Sequence, residues 1–302
     1  MQIPPYLQTG DTIAIVSTAR KITRTEIDIA IRAIEKQGFK VKIGKTIGLE
    51  NNQMAGTDKE KILDFNDQIY DPKVKAILCA RGGYGSVRIV DHLDFDHLKK
   101  YPKWIIGYSD VTTIHQALFS QEICTSLHAT MPINFSDSEE AKLNIDSMFN
   151  ALKGEKLIQS FAPHPLNRLG KSSGKVIGGN LSILYSLCGS RSNHMNFSGK
   201  ILFLEDLDEY LYHVDRMMMN LKRNGILDNL SGLIIGGMSD MNDNSIPFGK
   251  NADEIIYEHV EDYTYPVAFN FPAGHTEKNR ALKMGCPLDL KVTKDQSTSI
   301  QS

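Results

Sequence analysis

The sequence predicts an α/β fold built on a parallel, doubly wound sheet. Short β-branched apolar runs alternate with stretches whose apolar residues recur at helical spacing. Two helical stretches open with capping boxes, Thr23-Arg24-Thr25-Glu26 and Thr57-Asp58-Lys59-Glu60. The run Val74–Ala80 has no polar alternation, as expected of a strand covered on both faces. Strands joined through helices make right-handed crossovers and lie parallel. A chain of 302 residues can bury a substantial core and has the length of two domains.

The elements follow in order. Thr12 to Ser17 is the first strand, because β-branched side chains favour extended backbone. Ile27, Ala30, Ile31 and Ile34 form one helical stripe, with Gly38 as its stop. Phe39 to Ile43 is the second strand. The helix from Thr57 carries Leu63, Asn66 and Ile69-Tyr70 and ends at Asp71-Pro72. Val74–Ala80, Trp104–Gly107 and Cys124–Ala129 are strands three to five. A polar helix starts near Ser136. Pro163, Pro165, Gly170 and Ser172-Ser173-Gly174 then read as a linker. This divides the chain into an N-terminal domain (1–150), a linker (151–174) and a C-terminal domain (175–302). Beyond it come strands at Lys200–Leu204, Gly232–Ile235 and Val267–Phe271, helices at His213–Lys222 and Asp253–Val260, and a β region near Leu282–Val292.

Composition narrows the function. The formal charge of −2 and scattered Lys and Arg give no nucleic-acid footprint. No apolar run approaches a membrane span, and Met1-Gln2-Ile3-Pro4-Pro5 lacks a signal-peptide pattern, so a cytoplasmic protein is expected. The four cysteines (Cys79, Cys124, Cys188, Cys286) are far apart without metal spacing. Buried free thiols are expected, at Cys79, Cys124 and Cys188 above all.

Four stretches could carry chemistry. In Gly107-Tyr108-Ser109-Asp110 a strand ends at a glycine before a helix with Val111, Ile114, His115 and Leu118 on one face. A serine there has its hydroxyl at the sheet's carboxyl edge, as in a nucleophile elbow, though an ordinary N-cap has the same pattern. Arg81-Gly82-Gly83-Tyr84-Gly85 follows strand three and can aim backbone N–H groups at an anion. It is neither a dinucleotide fingerprint, which would follow strand one, nor a Walker loop, which needs Lys-Ser/Thr. Glu205, Asp206, Asp208 and Glu209 end a strand and could hold a hard cation or orient a histidine. His275 sits in the Pro272-Ala273-Gly274 turn, with His128 as the alternative base. Ser109, Glu205 and His275 each lie just past a strand, and a hydrolytic triad needs a hydroxyl, an imidazole and a carboxylate.

These motifs resemble the LD-carboxypeptidases, a family that includes muramoyltetrapeptide carboxypeptidases and microcin-immunity peptidases. Arg81–Gly85, Gly107–Asp110, Gly178-Gly179-Asn180-Leu181, Leu204-Glu205-Asp206 with Glu209-Tyr210, Asp215-Arg216-Met217 and Ala273-Gly274-His275 carry the resemblance. It implies a Rossmann-like N-terminal domain, a smaller β-rich C-terminal domain, and a triad split between them in a homodimer. Ser109 would be the nucleophile, His275 the general base and Glu205 its orienting carboxylate. The oxyanion hole would use the backbone N–H of Asp110 and of Gly82 or Gly83. The implied substrate is a muropeptide or short peptide losing a terminal D-Ala, with no cofactor and no metal. Arg81, Tyr84 and Asn180 are the substrate-binding candidates; Arg81 could instead pair with Asp91 or Asp94. A microcin-immunity-like peptidase, a non-catalytic peptide- or nucleotide-binding protein and a metal-dependent amidase are the alternatives.

Overall fold

The computed structural model describes residues 1–193 and 196–302. Five parallel strands form the first sheet in the order β5-β4-β3-β1-β2. They are β1 (Thr12–Val16), β2 (Lys40–Ile43), β3 (Val74–Cys79), β4 (Trp104–Gly107) and β5 (Ser126–His128). Around them run α1 (Asp28–Lys36), α2 (Asp58–Tyr70), α3 (Ser86–Ile89), α4 (Phe95–Lys100), α5 (Thr112–Ser120) and α6 (Glu139–Leu152). The period of two assigns the two cores. Ile13, Ile15, Leu78, Trp104 and Ile106 pack against α1 and α6. Ala14, Val16, Ile77, Cys79 and Ile105 pack against α2, α4 and α5. Both faces are covered, which is why β3 and β4 read as unbroken apolar runs.

The second sheet comprises β6 (Leu157–Phe161), β7 (Gly170–Asn180), β8 (Ile201–Leu207), β9 (Gly232–Ser239), β10 (Val267–Ala268), β12 (Pro287–Val292) and β13 (Ser297–Gln301). Their order is β10-β9-β8-β7-β12-β13-β6, parallel from β10 to β7 and antiparallel beyond. The long β7 makes both kinds of pair. Its second half lies parallel to β8, and its first half antiparallel to β12. Helices α7 (Leu181–Ser186), α8 (Leu211–Arg223) and α9 (Ala252–Val260) cover one face through Leu181, Val214, Met217, Met218 and Ile255. Strand residues Leu288, Leu290 and Val292 curl over the other.

Two expectations are corrected. Residues 151–174 are not a linker: they hold β6 and the start of β7. The Pro- and Gly-rich residues lie between these two strands, so the turn signals mark a connection inside the sheet. Nor is 175–302 a self-contained unit. β11 (Leu282–Met284) pairs antiparallel with β5 and closes the edge of the first sheet. Among the cysteines, Cys286 is buried and Cys188 only half-buried, and all four are free. Among the described residues no helix is long and apolar enough to cross a membrane.

Both capping boxes form. Thr57 Oγ1 accepts from the Glu60 N–H, and Glu60 Oε2 accepts from the Thr57 N–H. Thr23 and Glu26 do the same, but a 3₁₀ turn at Thr25–Ile27 precedes α1. Thr57→Ala should destabilise the protein by about 1 kcal/mol in urea unfolding; an unchanged midpoint would deny the cap its role.

Candidate active site

The site is assembled at the carboxyl edges of both sheets. β4 ends at Gly107, and the next turn places Ser109 at φ 62, in the left-handed region where a side chain is strained. His115 of α5, buried and with its pKa lowered to about 4 by that burial, donates from Nε2 to the Gly107 carbonyl at 2.9 Å. The turn is therefore pinned from inside the helix it starts. Ser109 is half-buried and faces a cavity of about 630 Å³.

The loop after β3 approaches closely. A Cβ added at Gly82 would lie 2.9 Å from Ser109 Cβ and 3.0 Å from its Oγ, so only glycine allows this contact. Among the described residues, the N–H groups of Gly82, Gly83 and Asp110 have no intramolecular acceptor. They are donors left without a partner on the two residues flanking the Gly82–Ser109 contact and on Gly82 itself.

The opposite wall comes from β8 and the loop after β10. Glu205 is wholly buried near the end of β8, and its Oε2 meets His275 Nδ1 at 2.7 Å and the His275 backbone N–H at 3.1 Å. An ionised carboxylate only accepts, so the ring proton sits on Nδ1 and Nε2 is free to accept. Burial opposes both charges, but the attraction between them prevails: Glu205 is held below the usual carboxylate range and the His275 pKa is raised. Tyr108 lies against the imidazole with centroids 4.8 Å apart and planes tilted by 51°, and its hydroxyl donates to Asn134 Oδ1 at 3.1 Å. The loop can pass this close to Glu205 because Gly274, at φ 107, has no side chain: a Cβ would meet the Glu205 side chain at 2.7 Å.

Ser109, His275, Arg81, Gly82, Gly83 and Asn180 all line the same cavity. Among the described residues no hydrogen bond yet joins Ser109 Oγ to His275, a contact that in free enzymes often tightens only with substrate bound. Asn180 is 3% exposed and locked into the wall, donating from Nδ2 to Asp206 Oδ1 at 2.8 Å while its Oδ1 accepts from the Ile183 N–H. Asp206 also accepts from the Ser182 N–H at 2.7 Å, and burial beside Glu205 raises its carboxyl to about 7.

Other expectations fail at this site. Tyr84 is 46% exposed and does not line the cavity. Arg81 pairs with neither Asp91 nor Asp94; it donates to the Lys21 carbonyl at 3.1 Å, and Asp94 caps α4. His128 lies buried behind Tyr108 and Phe203, its pKa lowered to about 3 by burial, and does not line the cavity. The four carboxylates of 205–209 do not converge on a cation. Glu205 turns to His275, Asp206 to Asn180, Asp208 to Asn242 and Glu209 to His213.

Sequence reasoning missed Arg20 and Ser182, which line the cavity; Tyr108, Asp206, Asp208 and Glu209, singled out only within the serine turn and the acidic stretch, line it too. Arg20 had a signal: it follows the first strand at the sheet edge where ligands bind in such folds. Its stem lies over Gly83, where an added Cβ would be 2.7 Å from Arg20 Cδ. Arg20 and Arg81 thus bring positive charge from the first sheet's edge, and Asp206, Asp208 and Glu209 bring carboxylates from the second.

Comparison with known proteins agrees with this architecture. Residues 13–129 match the LD-carboxypeptidase N-terminal domain and residues 173–290 the LD-carboxypeptidase C-terminal domain. A probable murein peptide carboxypeptidase of Bacillus subtilis is 31% identical, over 93% of this chain and 89% of its own. The microcin C7 self-immunity protein MccF of Escherichia coli is 26% identical, over 94% of this chain and 91% of its own. The crystal structure of muramoyltetrapeptide carboxypeptidase from Oxalobacter formigenes superposes with a TM-score of 0.87 at 23% identity, covering 96% of this chain and 98% of that one. The chain belongs to the LD-carboxypeptidase family of serine peptidases.

Proposed function

We propose that this protein is a serine-type LD-carboxypeptidase that releases the terminal D-Ala from muropeptide tetrapeptides. The observation that carries this reading is the Glu205–His275 pair, set in the same cavity as a strained Ser109 and a cluster of unpaired backbone N–H donors. The relatives named for murein peptides support the substrate class.

The geometry suits acyl transfer. Ser109 Oγ forms a bond to the carbonyl carbon of the amide preceding the D-amino acid, and its proton passes to His275 Nε2. Glu205 holds Nδ1 and stabilises the imidazolium. The N–H groups of Asp110 and of Gly82 or Gly83 take the oxyanion, and one such donor is typically worth about 2.7–4 kcal/mol. As the C–N bond breaks, His275 returns the proton to the leaving amine. Water, deprotonated by the same imidazole, then hydrolyses the ester and frees Ser109. The leaving residue carries a carboxylate, which the guanidinium groups of Arg81 and Arg20 match in charge and shape.

The direct test is incubation with muropeptides of three, four and five stem residues, with products identified by mass. The tetrapeptide should lose one alanine, and chelator should not change the rate. Ser109→Ala should fold normally and lose at least about a thousandfold in kcat. Turnover retained in that variant, or lost on chelation, would overturn the reading.

A general base must be neutral to act, so protonation of His275 shuts the reaction down as pH falls. Because Glu205 raises the imidazole pKa, the acid limb of kcat/KM should have its midpoint above about 6.5, the ordinary histidine value. Glu205→Gln removes that charge and should move the limb to lower pH while lowering kcat. A limb that stays in place in this variant would contradict the pairing.

A further inference from the structure

The side chain of Asp110 has no part in the reaction described above, which uses only its backbone N–H. It is nonetheless 1% exposed and points away from the cavity into the base of the glycine-rich loop. Its Oδ2 accepts from the Ser86 N–H at 2.8 Å, and the Gly85 N–H also faces the carboxylate. Ser86 is the first residue of α3, directly behind the loop, and its hydroxyl donates to Thr18 Oγ1 at 2.9 Å. Gly85 is packed so closely that a Cβ there would meet Ala19 Cα and the Thr18 carbonyl at 2.8 Å and Lys61 Nζ at 3.3 Å. Lys61 itself is wholly buried, with Asp58 at 3.1 Å. The loop is thus gripped from the β1 side by Thr18 and Ala19 and from the β4 side by Asp110.

The position of this grip matters. Asp110 is the residue after the serine, so one residue carries both a donor N–H on the cavity side and the anchor of the opposing loop on the other. The two halves of the proposed oxyanion site, Asp110 N–H and the Gly82–Gly83 N–H groups, are therefore tied together by a single side chain. Burial raises the pKa of the Asp110 carboxyl, so the grip rests on its acceptor oxygen and not on a charge, and an oxyanion donor misplaced by a fraction of an ångström loses much of its effect.

We propose that Asp110 is a positioning residue: its buried carboxyl group clamps the Gly82–Gly85 loop to the Ser109 turn and so sets the geometry of the oxyanion donors. This rests on Ser109 being the nucleophile. The loop's own flexibility, with glycines at 82, 83 and 85, makes an external anchor necessary. Asparagine can replace the acceptor function of Asp110, since its Oδ1 still accepts from the Ser86 N–H, whereas alanine cannot.

The test compares Asp110→Ala, Asp110→Leu, Asp110→Asn, Ser86→Ala and Ser109→Ala by steady-state kinetics on the tetrapeptide, with thermal unfolding of each. Asp110→Ala should lower kcat about a hundredfold with KM within about threefold, because oxyanion donors act in the transition state and not on bound substrate. Asp110→Asn should recover activity to within about tenfold of the unmodified protein. In a Ser109→Ala background, Asp110→Ala should leave tetrapeptide affinity unchanged by calorimetry. If Asp110→Ala fails to fold, Asp110→Leu carries the test: it fills the same space without an acceptor and should lower kcat at least about tenfold at constant KM, whereas Ser86→Ala keeps the backbone N–H that Asp110 accepts and should lose less than Asp110→Ala. Full kcat in folded Asp110→Ala or Asp110→Leu, a loss confined to KM, or an Asp110→Asn as impaired as Asp110→Ala would each overturn the clamp. Turnover persisting in Ser109→Ala would instead remove the serine mechanism on which it rests, so the two failures are distinguishable.

Discussion

A carboxylate buried without compensation would cost several kcal/mol, and Glu205 is wholly buried. It stays ionised because one oxygen takes both the ring Nδ1–H and the backbone N–H of His275. Much of the molecule serves this contact. β8 delivers Glu205 from the second sheet. The extra residue that β9 carries opposite it, at Gly236-Gly237, makes room for the loop that presents His275: the Gly237 N–H donates to the Ala273 carbonyl at 3.0 Å, and a Cβ on Gly236 would meet that oxygen at 2.4 Å. The first half of the chain holds the same loop from outside. Asn144 of α6 donates to the Glu277 carbonyl at 2.7 Å and accepts from the Asn279 N–H at 2.8 Å, while Asn279 Oδ1 accepts from the Gly274 N–H.

The two halves meet along α5 and β7, and this seam sets where Ser109 stands relative to His275. The Gln116 side chain donates to the Gly178 carbonyl at 2.8 Å, and the Asn180 N–H donates to Thr112 Oγ1 at 3.1 Å. These are buried bonds between the helix that starts at the Ser109 turn and the strand that adjoins Glu205. With β11 also returning to the first sheet, the chain is stitched across the cavity at several points.

The strand and helix pattern was legible wherever local chemistry decides it. Thr57 and Glu60 announce their helix, and the apolar run of β3 announces a strand covered twice. The misread stretch 151–174 shows the limit. Pro163, Pro165 and Gly170 are turn residues, but whether a turn separates domains or strands depends on what packs against it. Leu157 and Phe161, buried at the two ends of β6, were the available counter-signal. β11 falls within the β region expected near Leu282–Val292, but three residues cannot say which sheet they will join. At the site, Ser109, Glu205 and His275 could be singled out because each stands just beyond or near the end of an apolar run. Tyr84 was misjudged and Arg20 overlooked because exposure and reach are tertiary properties. The Asp110 side chain lay beyond sequence reasoning, since its partner, Ser86, is remote in the chain.

The central claim is that Glu205 and His275 activate Ser109. Fluorophosphonates phosphonylate an activated serine by the same attack that begins amide hydrolysis. Intact mass and peptide mapping after exposure should show one adduct, on Ser109, and its formation should be abolished in His275→Ala and slowed in Glu205→Gln. An unmodified Ser109, or an adduct that forms equally well without His275, would contradict the account.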